Sequence, residues 1–278
     1  MSWPAFRVGE ALPPYQVTAF NGAAQSDNKI HDDVVAKEYG FAGGLVPGVT
    51  VHAYMTRPAI DAFGLAWLER GAMSSRFLKP VYEGELVTVE ARVTEAREEQ
   101  VTIALTAKNP AGVECGVGSA TLHRDPPAAP EMRDFPEAPR PTPRPIASES
   151  VFAGLDILGS LREINEMGRW EKFLAEANDA DGRFRGPEAV AHPGYLIRLA
   201  NTVLVENVLL GPWIHVSSEV QQLGPAHLGE TLTTRARVLG TFERKGHKFV
   251  ELDVLIVSAE RPVMRVHHTA IYEPRRNA

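Results

Sequence analysis

The stretch Asn28-Lys29-Ile30-His31 carries most of the chemical potential of this chain. Ser26 and Asp27 precede it and Asp32-Asp33 follow. An imidazole, an amide and several carboxylates thus crowd one polar loop. Gly40-Phe41 and Ala42-Gly43-Gly44 come next, and Pro47-Gly48 opens a long apolar segment. A histidine and a carboxylate within reach of one water can move a proton on or off it. A backbone N–H at a helix start, aided by the helix dipole, can hold negative charge that develops on a carbonyl oxygen. Gly48 has no Cβ, so such an oxygen could approach the backbone closely. Base, acid and oxyanion donor are the three groups needed to add water across a double bond conjugated to a carbonyl.

These residues need a scaffold, and the chain supplies it twice. Gly84-Glu85-Leu86-Val87-Thr88-Val89-Glu90-Ala91-Arg92-Val93 is echoed by Gly229-Glu230-Thr231-Leu232-Thr233-Thr234-Arg235-Ala236-Arg237-Val238, identical at six of ten positions with an offset of 145. Ser74-Ser75 recurs as Ser217-Ser218 at offset 143, and Pro47-Gly48 as Pro193-Gly194 at offset 146. Three matches in one order and at nearly one offset argue for a duplicated domain. Between the copies, residues 125–146 hold eight of the 21 prolines. Such a run cannot join a sheet and reads as an extended connector. The expected division is therefore 1–124, a linker 125–147, and 148–278.

Each copy has the same order of elements. The segment Val49 to Leu68 is apolar around most of its circumference, as a helix wrapped by a sheet should be. Pro58 within it predicts a kink or a second start. Strands are expected near 85–95, 100–108 and 114–123, with Asn109-Pro110-Ala111-Gly112 as a turn. The second copy predicts a helix over 195–210 and strands near 230–239, 247–258 and 262–273, with a hairpin at Lys245-Gly246. A long apolar helix followed by antiparallel strands is an α+β pattern.

With His31, Asn28, Gly40-Phe41 and Gly48 in this order, the chain resembles the MaoC-like, R-specific enoyl-CoA hydratases. That resemblance implies a tandem, or double, hotdog fold, each unit a curved antiparallel sheet wrapped around a central helix. The two units would pack as a pseudo-dimer within one chain, with self-association into a homodimer left open. It implies Asp27 and His31 as catalytic residues, Ser26 and Asn28 as supporting ones, and Gly48 as the donor to the thioester oxygen. An acyl-CoA thioester would be the substrate, with no cofactor. The sequence departs from the family pattern at the carboxylate. The family's Asp precedes its His by five residues, whereas position 26 is Ser and Asp27 precedes His31 by four. Either a shortened loop brings Asp27 to the site, or Ser26 stands in the carboxylate's place. Lys29 also replaces a usual Pro. Asp33 and Ala36 read as helix-start and packing residues.

In the second copy an ungapped count from Gly182 sets Phe173 against His31 and Trp170 against Asn28. The polar loop has become apolar there, which suggests a cavity wall rather than a second reactive site. His192, before Pro193-Gly194, reads as structural. His267 and His268 are adjacent on a strand and so point to opposite faces. No spacing suggests a metal site, a phosphate loop or a nucleophile elbow.

Composition narrows the classes further. Net charge is −6 and there is no basic run to follow a phosphate backbone, so nucleic acid is an unpromising partner. The N-terminal residues lack the pattern of a signal peptide, and no stretch of 18 apolar residues predicts a membrane span. The lone Cys115 fits a reducing cytoplasm and reads as a packed side chain. Three activities remain: a hydratase or dehydratase of enoyl or 3-hydroxyacyl thioesters, a hotdog thioesterase, or a non-catalytic acyl-thioester binder.

Overall fold

The computed structural model describes residues 5–276. The first half contains β1 (Tyr15–Thr18), α1 (Asp33–Glu38), α2 (Gly48–Phe63), α3 (Trp67–Arg70), β2 (Gly71–Phe77), β3 (Leu86–Ala96), β4 (Gln100–Lys108) and β5 (Glu114–His123). The second contains α4 (Glu149–Ala153), β6 (Ile157–Ile164), α5 (Met167–Glu176), α6 (Pro193–Asn207), β7 (Ile214–Gln222), β8 (Thr231–Arg244), β9 (His247–Ser258) and β10 (Arg261–Glu273).

All ten strands form one antiparallel sheet in the order β1-β3-β4-β5-β2-β7-β10-β9-β8-β6. Read from either end, the order is the same once β6 is matched to β1 and β7 to β2. This is the expected double hotdog, an α+β fold with a pseudo-twofold between β2 and β7. The repeated Ser-Ser pairs mark that axis, since Ser75 lies directly opposite Ser218 across the seam. The Gly-Glu repeat is a repeated turn. Gly84 and Gly229 take φ values of 78° and 80°, a left-handed conformation that suits glycine. The following Glu accepts a backbone N–H in each copy, Tyr82 to Glu85 and His227 to Glu230, both at 2.9 Å.

The predicted strands appear close to their expected bounds because their alternation matches a half-buried pleat. In β4, Val101, Ile103, Leu105 and Ala107 are buried while the residues between them are not. Each large apolar side chain so buried contributes about 1.5–3 kcal/mol. The core faces α2 and α6, which pack against each other at the centre. The first helix is shorter than the apolar run. It passes through the buried Pro58 and ends at Phe63, where Gly64 takes a φ of 65°; a 3-10 turn and α3 then complete the segment. The Pro-rich segment holds a 3-10 turn, Met132–Asp134, and its Phe135 is buried against Leu255 and Val257. The guanidinium groups of Arg237 and Arg265 lie over the Phe135 ring.

Candidate active site

His31 ends a 3-10 turn, Lys29–His31, whose N-cap is Asn28. Asp32 then caps α1 by accepting the N–H groups of Val34 and Val35. Asp33 accepts the N–H of Gly44 at 2.7 Å, and Ala36 is fully buried. These contacts pin the loop on both sides of His31 and confirm the helix-start and packing roles expected of Asp33 and Ala36.

Asn28 reaches across to the second half. Its Oδ1 accepts the Trp213 N–H at 3.1 Å and its Nδ2 donates to the Trp213 carbonyl at 2.9 Å. This two-point pairing fixes which end of the amide is NH2. The other Nδ2 proton therefore faces His31 Nε2, 3.2 Å away, which must be the acceptor. His31 Nδ1 carries the ring proton and donates it to the Leu45 carbonyl at 2.7 Å. Burial lowers the His31 pKa below the usual histidine value, with the Leu45 carbonyl opposing the shift. His31 is thus a neutral imidazole with its basic nitrogen at Nε2.

Two cavities meet at this ring. One is an apolar chamber of about 180 Å³, lined by residues that include Ile30, Phe41, Val51, Phe77, Ile214 and His215. The other is a polar cleft of about 610 Å³, where Ser26, Asp27 and Asn28 share the wall with Glu176, Arg198 and Arg144. His31 lines both. Gly48 lines the chamber at the first position of α2. Among the described residues its N–H donates to no protein group, as the first turn of a helix leaves it free to do. A Cβ on Gly48 would lie 3.0 Å from both Phe77 Cε2 and His215 Nδ1.

The structure brings Asn28, His31 and Gly48 together. Asp27 is exposed on the cleft wall and, among the described residues, makes no hydrogen bond or ion pair. Ser26 directs its hydroxyl to the Asn28 carbonyl at 3.4 Å. Neither bonds to the His31 ring, whose side-chain neighbour is Asn28. The acidic group built into the cleft is instead Glu176, which is buried and ion-paired to Arg198. It comes from α5, a helix that the sequence reading did not anticipate.

Sequence reasoning also missed the contribution of β7. His215 is buried beside Gly48 and belongs to a chain of rings and hydroxyls. Its Nε2 lies 2.8 Å from Ser218 Oγ, which lies 3.2 Å from His268 Nδ1. The two rings are 4.4 Å apart. His52 Nδ1 meets Ser75 Oγ at 2.9 Å on the other side of the seam. Burial holds His52 and His268 down to a pKa of about 3, and His215 well below the usual value. The only signal in the sequence was the position of His215, two residues before the repeated Ser217-Ser218. His267, by contrast, faces outward, 3.6 Å from Glu251.

At the second helix start the same backbone is closed. His192 Nδ1 accepts the Gly194 N–H at 2.9 Å. Its Nε2 points to Asp179 at 3.4 Å. Phe173 and Phe184 pack on the ring, and a Cβ on Gly194 would meet Phe173 Cζ at 2.9 Å. Burial alone would raise the Asp179 pKa, yet His192 and Arg57 hold it below the usual carboxylate range.

No family profile and no curated protein sequence matches this chain. Solved structures do. A protein assigned as a MaoC domain dehydratase from Chloroflexus aurantiacus superposes with a TM-score of 0.64 at 12% identity, over 97% of this chain and 96% of its own. A Mycobacterium tuberculosis protein described as having a double hotdog fold gives 0.64 at 17% identity, over 96% of each chain. An oleoyl thioesterase from Lactobacillus plantarum gives 0.53 at 12% identity, over 96% of this chain and 97% of its own. Among the described residues no helix is long and apolar enough to cross a membrane. The chain has the double hotdog fold, and its structural neighbours include MaoC-like dehydratases.

Proposed function

We propose that the chain is a hydratase or dehydratase acting on an enoyl or 3-hydroxyacyl thioester of coenzyme A. The observation that carries this reading is the neutral His31, with Nε2 unprotonated, between an apolar chamber and a polar cleft and close to the free N–H of Gly48. In the hydration direction the acyl chain lies in the chamber and the pantetheine arm leaves through the cleft. A water takes the place of the Asn28 amide at Nε2, which removes its proton as the oxygen bonds to Cβ. The electron pair moves onto the thioester oxygen, where the Gly48 N–H and the start of α2 hold it. The proton held at Nε2 then passes to Cα through a water in the cleft, which completes the addition, returns His31 to its neutral form and leaves the thioester bond intact. Asp27 is the loop carboxylate available to relay that proton; Ser26 can only orient such a water.

A chamber of 180 Å³ is close to the ~150 Å³ apolar cavity that accommodates a benzene ring in an engineered protein. This size favours short acyl chains, on the order of four to six carbons. A cytoplasmic setting belongs to the proposal, in keeping with the free, buried Cys115.

The second reading is an acyl-thioester binder, favoured by the exposure of Asp27, which among the described residues makes no hydrogen bond to the His31 ring. The thioesterase neighbour keeps hydrolysis as the third. One assay separates them, with crotonyl-CoA as the probe. Reversible loss of the enoyl-thioester absorbance without free thiol is the expected result. Release of thiol would make the chain a thioesterase. Binding with neither change would make it a binder.

A further inference from the structure

We infer that His215 is a second donor to the thioester carbonyl, its Nδ1–H acting beside the Gly48 N–H. This rests on the acyl-thioester reading above. His215 comes from β7 of the half that carries no motif, yet it lines the same chamber as His31 and Gly48. It is 5% exposed, and its Nδ1 is buried without a hydrogen-bond partner. A missing Gly48 Cβ is all that separates that nitrogen from the start of α2. Buried polar atoms are rarely left unmatched, and this one stands next to the backbone donor to which the carbonyl is drawn.

The ring must present a proton for this purpose, and its neighbours allow it to. Ser218 Oγ has one proton to share between His215 Nε2 and His268 Nδ1. If Ser218 donates to His268, the orphaned His268 Nε2 must carry a proton inside the dry core. If Ser218 donates to His215, His268 Nδ1 donates to Ser218 and His268 Nε2 keeps only a lone pair. Among the protein's own groups each arrangement leaves one buried N–H unmatched, on His268 Nε2 in the first and on His215 Nδ1 in the second. Only the second can be matched by a ligand, because His215 lines the chamber and His268 does not, so a bound carbonyl selects the tautomer with the His215 proton on Nδ1. Burial, with His268 and His52 nearby, keeps the ring neutral. A neutral donor stabilises the enolate oxygen without giving up its proton. Ser218 and His268 act through His215 and are positioning residues.

The test uses butanoyl-CoA labelled with carbon-13 at the carbonyl, a saturated thioester that cannot be hydrated. Its carbonyl stretch is read by difference infrared spectroscopy on the full chain. Bound to the wild type, the band is expected at lower frequency than in solution. His215→Phe keeps a ring against Phe77 but offers no donor. It should lose part of the shift and lower kcat for crotonyl-CoA by about a hundredfold, the usual cost of one oxyanion donor, with little change in KM. His215→Gln, which restores an N–H, should recover part of both. Ser218→Ala should weaken the shift without touching the chamber wall, and it covers the case in which His215→Phe does not fold. An unchanged band and an unchanged kcat in His215→Phe, or in Ser218→Ala where the Phe variant fails to fold, would overturn the inference and leave the hydratase reading standing. A wild type that neither binds butanoyl-CoA nor hydrates crotonyl-CoA would overturn both.

Discussion

The two central helices begin with the same Pro-Gly pair, and only one of them begins open. At Gly48 the first N–H has no partner among the described residues, and the glycine lines a chamber shared with a neutral histidine. At Gly194 the corresponding N–H is taken by His192, with Phe173 tilted against the plug and Phe184 edge-on to it. Duplication kept the scaffold in both halves and the vacancy in one. The plug is a stability device: a capping side chain typically contributes about 0.5–2 kcal/mol. In the proposed reading the open end gives up that stabilisation for room to hold a ligand oxygen. The second half did not fall silent, however, because it supplies the Trp213 backbone, just before β7, and the His215 ring of β7 to the open end of the first.

Removing the base is the strongest test of that asymmetry. His31→Ala should lower hydration of crotonyl-CoA by about a hundredfold or more, the usual range for a positioned acid-base group. A loss smaller than about tenfold, or 1.4 kcal/mol, would show that the open end is not where the proton moves.

Acid should expose the buried histidines that cluster at the seam beside Ser75 and Ser218. His52 and His268 have folded pKa values of about 3, and that of His215 is well below the usual value. Unfolded histidines titrate near 6.5. Between those limits the unfolded chain binds more protons, so stability must rise with pH across the window and fall as pH drops below about 6.5. Each ring contributes a limiting slope of about 1.4 kcal/mol per pH unit. Calorimetric melts from pH 7 to 5 should show the decline, and His52→Gln should make it shallower. A melting temperature independent of pH over that range would contradict the neutral cluster.

The glycines give paired, smaller effects. A Cβ at position 48 would crowd His215 Nδ1 and Phe77 at 3.0 Å. Gly48→Ala should cut kcat/KM by about tenfold, or 1.4 kcal/mol, with little change in melting temperature. A Cβ at position 194 would meet Ala53 Cβ at 2.7 Å and Phe173 at 2.9 Å. Gly194→Ala should cost about 1–3 kcal/mol of stability through overpacking and leave the kinetics near wild type. Reversal of the two phenotypes would mean that the open and plugged ends have been misassigned.

The smallest expected effect concerns the loop carboxylate. Asp27 lies exposed on the cleft, so Asp27→Asn should lower kcat only a few-fold if the proton travels through water. Ser26→Asp, which sets a carboxylate five residues before His31, should raise it. Loss of nearly all activity in Asp27→Asn would place that carboxylate at the reacting carbon. Indifference to both substitutions would favour the binder.

Strands with clean alternation and marked turns were legible in the sequence, and β3 to β5 and β8 to β10 fall near their predicted bounds. The strands β2 and β7 were visible only as a repeated Ser-Ser. They lie at the seam, buried among polar partners, and their burial follows no simple two-residue rhythm along the whole strand. The edge strands β1 and β6 and the helix α5 gave no signal strong enough to read, because partners distant in sequence decide them: β1 pairs with β3, β6 with β8, and α5 packs its aromatic side chains on α6. The same holds for the site. His31, Asn28 and Gly48 were readable as a local motif. Trp213, His215 and Glu176 were not, since each reaches the site from the far half of the chain.

The clasp between Asn28 and the Trp213 backbone spans 185 residues. The tautomer of His31 does not depend on it, because the Leu45 carbonyl of the same half can only accept and so fixes the ring proton on Nδ1. What the docked second copy adds is the amide, which the Trp213 backbone turns so that its Nδ2 meets Nε2. A nascent first half, emerging alone, would hold the neutral tautomer without an amide anchored beside its basic nitrogen.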